Sequence, residues 1–145
     1  MFHNLEQLKE RIKIHEGFCD TVYKDTLGKR TIGYGHLCTD NEEWKDGKAY
    51  TIEYLNDVFE GDFNEAVRQT EQLIGNLILH KEANEIIIEM VFQLGMSGVS
   101  KFKKMWAALK NQNYDEAANQ MLDSKWAKQT PNRAKDLSEI MRGLA

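Results

Sequence analysis

Glu16, Asp25 and Thr31 are the residues through which this chain could do chemistry. They stand in Glu16-Gly17, Tyr23-Lys24-Asp25-Thr26-Leu27-Gly28 and Thr31-Ile32-Gly33-Tyr34-Gly35-His36. The second carboxylate follows the first by nine positions, and the hydroxyl follows by six more. One carboxyl can protonate a departing sugar oxygen. The other, helped by the hydroxyl, can activate a water on the opposite face of the sugar. This is the residue set of a glycoside hydrolase that uses water.

The elements that must position these groups follow from periodicity. Leu5, Leu8 and Ile12 form a helical stripe, opened by Asn4 with Gln7 as its capping-box partner and closed near Gly17. Glu16 then sits at a helix C-terminus, where the macrodipole disfavours an anion and favours a protonated acid. Residues 18–37 read as short strands around an Asp25-Thr26-Leu27-Gly28 turn, with Gly33 and Gly35 alternating along the last strand. Residues 38–50 read as a polar loop with one helical turn. Thr51 caps a long helix to about Gln72 with the stripe Ile52, Leu55, Phe59, Ala66 and Val67. Beyond Leu73 everything reads as helix. Residues 85–94 form a buried central segment broken by Gly95 and Gly98, and Phe102, Met105, Trp106 and Leu109 form the next stripe. Asn113 with Glu116 caps 114–122, and Thr130 caps a last helix opening with Pro131.

Composition narrows the function classes. The chain has 145 residues, enough for one compact unit with a core, and no internal repeat or linker tract. No apolar run approaches the roughly 20 residues that cross a bilayer, and residues 1–17 lack a signal-peptide core. Export is therefore expected to depend on something else. The net charge of −4 is uneven. Residues 1–100 carry 10 Lys/Arg against 18 Asp/Glu, whereas 101–145 carry 9 against 5. An acidic polymer would be drawn to the C-terminal part and to the hairpin, through Lys24, Lys29 and Arg30. No basic, aromatic-interleaved surface suggests nucleic acid. Cys19 and Cys38 are too few for a disulfide framework, and spacing leaves open whether they meet.

The segments HEG, YKDTLGKRTIGYGH, MVFQLG and KQTPNRAK, in that order over nearly the whole chain, resemble those of the phage-type lysozymes, the T-even phage endolysin kind. The resemblance implies an α+β, mostly helical, lysozyme-like fold. A small β-hairpin lobe (about 15–60) is joined by a long helix to a helical-bundle lobe (about 61–145 plus 1–14), all one domain, with the site in the cleft. It implies a muramidase that cleaves the β-1,4 bond between N-acetylmuramic acid and N-acetylglucosamine of peptidoglycan with inversion. Glu16 is then the general acid, Asp25 the carboxylate that activates water, and Thr31 the hydroxyl that holds it. Leu37, Phe92 and Gln93 match substrate-binding positions. Arg133 matches a cation that reaches Glu16, and His36 and Asp62 match a structural pair. The implied protein is a monomer that needs no cofactor or metal, inserts in no membrane and binds no nucleic acid. It lyses the bacterial wall either after release from the host cytoplasm through a holin or as part of a virion.

The chain departs from that pattern in places. His15 stands where an acid is usual, Glu89 replaces a neutral polar residue, the 38–50 connection is short, and the tail ends soon after Arg142-Gly143. Arg133 in the first turn of a helix opposes the dipole, which marks it as a functional candidate rather than a solvated side chain. Competing chemistries fit less well. His15, Cys19, His36 and Cys38 do not have a standard zinc spacing. A lytic transglycosylase would leave Asp25 and Thr31 idle, and no serine sits on a nucleophile elbow. A catalytically impaired wall-binding scaffold is the remaining alternative.

Overall fold

The computed structural model describes residues 5–144. The fold is α+β and mostly helical: seven helices and one three-stranded antiparallel sheet among the described residues. The chain divides into two compact units, Met1–Glu65 and Ala66–Ala145.

The first unit opens with α1 (Glu6–Glu16), which buries Leu8 and Ile12 one turn apart. Gly17, at φ 75°, stops it, and its N–H donates to the Lys13 carbonyl. Leu5 occupies the N-cap without a side-chain bond, and the expected cap Asn4 lies outside the described residues. The sheet runs β1 (Cys19–Lys24), β2 (Arg30–Gly33), β3 (His36–Leu37), in that spatial order. β1 pairs with β2 at Tyr23↔Thr31 and Lys24↔Arg30, but the register shifts before Cys19↔Gly33, so β1 bulges between Cys19 and Tyr23. Gly33 and Gly35 do not alternate along a strand as the sequence suggests. Gly33 ends β2 opposite Cys19, whereas Gly35 lies in the turn before β3, and both adopt positive φ (65° and 77°).

Ile32, Trp44 and Leu55 form one core cluster of this unit, with Val22, Cys38, Tyr50 and Val58 packed around them. The expected helical turn in 38–50 is absent, and the segment holds turns instead. Its backbone groups are satisfied from outside it and by side chains: Arg30 Nη2 donates to the Trp44 carbonyl at 2.8 Å, and the Lys45 N–H donates to the Tyr50 hydroxyl at 3.0 Å. α2 (Ile52–Ile74) begins where Thr51 Oγ1 accepts the Tyr54 N–H. Within this unit α2 buries Leu55, Phe59 and Phe63, whereas Ile52 is exposed, so the apolar stripe starts one turn later than the sequence suggests.

The second unit contains α3 (Lys81–Ser100), α4 (Lys103–Lys110), α5 (Tyr114–Leu122), α6 (Lys125–Gln129) and α7 (Pro131–Arg142). α3 is the expected central helix, with 86–91 wholly buried. Gly95 (φ 79°, ψ 163°) kinks it, whereas Gly98 stays helical. Asn113 caps α5 by accepting the Glu116 N–H, as its spacing suggests. The short α6, capped by Ser124, was not evident from the sequence. It also explains why Thr130 makes no side-chain cap for α7. Thr130 ends α6, and its hydroxyl donates to the Trp126 carbonyl at 3.0 Å instead.

One buried ion pair crosses this unit. Arg133 Nε donates to Glu89 Oε2 at 2.8 Å, with Glu89 fully buried and Arg133 only 7 % exposed. The charge that opposes the α7 dipole is therefore answered by the carboxylate that departs from the family pattern. Removing Glu89 takes a compensating charge from a guanidinium that stays buried. Glu89→Ala should lose about 3–5 kcal/mol of unfolding free energy in urea titration. A loss near zero would show that the pair does not hold the unit together.

Candidate active site

The site begins with where α1 ends. Glu16 is its last residue, half-buried, with its carboxyl lying against Gly35 in the turn between β2 and β3. A Cβ at Gly35 would overlap Glu16 Oε1 and come within 2.9 Å of Cδ. Gly35 is thus required twice, by its backbone angle and by the acid it seats.

Asp25 opens the turn between β1 and β2. Its Oδ1 accepts two backbone N–H groups, from Leu27 at 2.9 Å and Lys29 at 2.8 Å. Its Oδ2 takes no hydrogen bond from the described residues. Thr31, on β2, is 6 % exposed and donates its hydroxyl proton to the Lys29 carbonyl at 3.0 Å. Lys29 therefore fixes both groups through its own peptide atoms. What remains is one carboxylate oxygen and the lone pairs of one hydroxyl, both acceptors. A water reaching both must donate both its protons, which leaves its lone pairs free for attack.

Tyr23 is a residue that the sequence reading passed over. It stands directly opposite Thr31 in the ladder, so the two side chains share a face, and it lies two residues before Asp25. Burial pushes its phenol upward, and the charges of Glu16, Cys19 and Asp25 push the same way. Its i, i+2 relation to Asp25 along an expected strand was the available signal.

His36, at the start of β3, is gripped on both ring nitrogens. Nδ1 meets Asp62 Oδ2 on α2 at 2.7 Å, and Nε2 meets both oxygens of Glu42 at 3.0 Å. The bond to Asp62 outweighs burial and, with Glu42, raises the imidazole to about 8. Burial pushes Glu42 upward, but the Thr39 N–H and His36 prevail and its carboxyl ends below the ordinary range. The resemblance implied the Asp62 partner, whereas Glu42 emerges only from the folded loop. Leu37, paired with Thr31 across β2–β3, is 48 % exposed.

Phe92, Gln93 and Arg133 belong to the second unit. Gln93 Oε1 accepts the Trp126 indole N–H at 2.8 Å, which fixes the amide so that its NH₂ is the group left to donate. Phe92 is half-buried, and Arg133 is held by Glu89. The C-terminal positive charge gathers at a cavity of about 450 Å³ lined by Lys101, Lys103, Lys104 and Lys125 over Phe102 and Met105. Cys19 and Cys38 are free thiols. Among the described residues no three His, Cys, Asp or Glu side chains converge as a metal-binding set, and no helix is long and apolar enough to cross a membrane.

The first unit thus holds the Glu16 carboxyl at the end of α1 and the Asp25 carboxylate and Thr31 hydroxyl of the hairpin, groups of the kind acid–base hydrolysis uses. The phage lysozyme family model matches residues 13–144, and this chain belongs to that family. It is 31% identical to a probable T4-type lysozyme 2 of Dictyostelium discoideum, over 90% of each chain. It is 30% identical to a probable T4-type lysozyme 1 of the same organism, over 94% of each chain. A peptidoglycan hydrolase, gp36 of Pseudomonas phage phiKMV, is 28% identical over 82% of this chain and 13% of its own length.

Two outcomes follow. Gly35→Ala should lower turnover at least about tenfold, because the added Cβ displaces the acid. Gly47→Ala, at the same backbone angle with nothing within 4 Å, should leave turnover near the parent's. Equal turnover in both variants would separate Gly35 from the chemistry. The second outcome concerns His36. Its imidazole is raised on folding, so its contribution to stability is full below about 6.5 and is lost as pH rises through about 8. Thermal unfolding from pH 6 to 9 should show that loss, and Asp62→Asn should flatten it. An unchanged slope would contradict the paired imidazole.

Proposed function

We propose that this protein is a peptidoglycan hydrolase of the muramidase type, cleaving the β-1,4 bond between N-acetylmuramic acid and N-acetylglucosamine with inversion. The observation that carries the reading is the pair of acceptors fixed by Lys29: Asp25 Oδ2 and the Thr31 hydroxyl. Family membership and the named hydrolase relative support the substrate class.

Glu16 protonates the glycosidic oxygen as the bond to the anomeric carbon breaks. The water that donates to Asp25 and Thr31 attacks that carbon from the opposite face, and Asp25 takes its proton. Inversion requires room for this water, a carboxyl separation of about 6.5–9.5 Å. Gln93 donates its amide to an acetamido carbonyl, while Leu37 and Phe92 offer apolar contact to the sugar. His36, Asp62 and Arg133 are supporting residues. The protein acts as a monomer on the bacterial wall without a cofactor.

Digestion of purified peptidoglycan followed by mass spectrometry of the released muropeptides tests the reading. Reducing N-acetylmuramic ends are expected. They should disappear in Glu16→Gln and in Asp25→Asn, and fall at least about tenfold in Thr31→Ala. Anhydro ends would indicate a transglycosylase without a role for Asp25. No release by the unaltered protein would indicate a wall-binding scaffold.

A further inference from the structure

Glu42 has no part in the chemistry above, but it holds the residue next to Gly35. His36 lies between two carboxylates, with Nδ1 2.7 Å from Asp62 on α2 and Nε2 3.0 Å from both oxygens of Glu42. Carboxylates only accept, so each bond requires an N–H, and only the imidazolium carries two. The neutral ring has one N–H for two acceptors. The shorter bond, to Asp62, keeps it, which leaves a bare Nε2 facing Glu42. The imidazole side chain is only 14 % exposed, so little water reaches the gap to bridge it. Glu42 stays tied to its own segment, because its Oε1 also accepts the Thr39 N–H at 3.0 Å and the Thr39 hydroxyl at 3.2 Å. The lost proton therefore releases the tie between the 38–50 segment and β3. Gly35, one residue before His36, has no room to spare, since a Cβ there would overlap Glu16 Oε1. A shift of this turn is felt at the Glu16 carboxyl.

We propose that Glu42 is a positioning residue: through the doubly protonated His36 it holds the β2–β3 turn where it seats Glu16, and it lets go when the ring becomes neutral. The inference rests on the reading of Glu16 as the acid. The Asp62 bond outweighs burial and, with Glu42, raises the ring to about 8. The seat is complete below that value and is released as pH rises through it. Among the described residues, Asp62 on α2 and Glu42 in the 38–50 segment are the charged groups that face the ring. The other neighbours are uncharged: β2 sets Ile32 opposite His36, and the Trp44 ring lies 5.8 Å away. The Cys38 thiol, two residues along, is pushed up by burial, and Arg30 and Asp46 are paired at 2.8 Å. None of these groups replaces the lost proton.

The test follows the Glu16 carboxyl carbon by NMR from pH 6 to 9, beside the His36 ring resonances. In the unaltered protein the Glu16 signal should show a step at the pH where His36 titrates. Glu42→Gln should remove that step, because an amide accepts from an N–H and donates to a bare nitrogen, so it holds the ring in either state. His36 should still titrate in this variant, at lower pH for want of the neighbouring anion. On soluble peptidoglycan fragments the ratio of variant to parent kcat should rise at least about threefold between pH 6 and 9, with the ratio of KM values flat. Glu42→Ala, which offers Nε2 no partner at any pH, should lose the step and start below the parent's kcat at pH 6. A parent signal without a step at the His36 titration would overturn the proposal. A step that persists in Glu42→Gln would do the same, since it would report the charge of the ring and not the tie. A flat kcat ratio would also overturn it. The NMR outcomes are read without turnover: a step in a protein that releases no reducing ends from purified peptidoglycan would uphold the seat and defeat the reading of Glu16 as the acid.

Discussion

The site depends on one backbone residue. Lys29 donates its N–H to Asp25 and accepts the Thr31 hydroxyl through its carbonyl. These bonds leave the carboxylate and the hydroxyl with acceptor capacity only, so a water that reached both would donate to both. The turn therefore does more than connect β1 to β2. Its hydrogen bonds fix which oxygen of Asp25 and which lone pairs of Thr31 stay open. Lys29 is held in turn, because its carbonyl also receives the Asp25 N–H at 2.9 Å. The side chain of Lys29 is solvent-exposed and has no part in this.

Glu16 is positioned by a different device. α1 ends at Gly17 because a left-handed residue stops it there, and Glu16 is left at the rim of the helix with its carboxyl against Gly35. The connection that carries Gly35 is anchored by His36 between Asp62 and Glu42. The 38–50 segment, although short and without regular structure, thus contributes a carboxylate, Glu42, that braces the turn against which Glu16 lies. Trp44 and Tyr50, both in that segment, pack edge to face with ring centroids 4.9 Å apart.

Much of this was legible in the sequence, because the relevant signals are local. Apolar spacing marked α1, the Asp-Thr-Leu-Gly turn marked the hairpin, and Asn113 with Glu116 marked the start of α5. The features that sequence reading missed depend on contacts between distant residues. Glu42 became a partner of His36 only once the loop folded back. Tyr23 faces Thr31 only because β1 bulges. Thr130 was a sound cap by type, but the short α6 before it claimed its hydroxyl. Gly33 does end β2, but Gly35 looked like a strand position because periodicity carries no information about φ. Glu89 stood out as a departure, and its meaning appeared only when Arg133 was found buried against it.

Proton NMR of the anomeric region during cleavage of a β-linked substrate would test the central claim most directly. A water held by Asp25 and Thr31 on the face opposite the leaving group yields the α-anomer as the first product, which then mutarotates toward equilibrium. Initial appearance of the β-anomer would contradict the account, since it would require attack on the sugar by a residue of the protein or by the substrate before water entered.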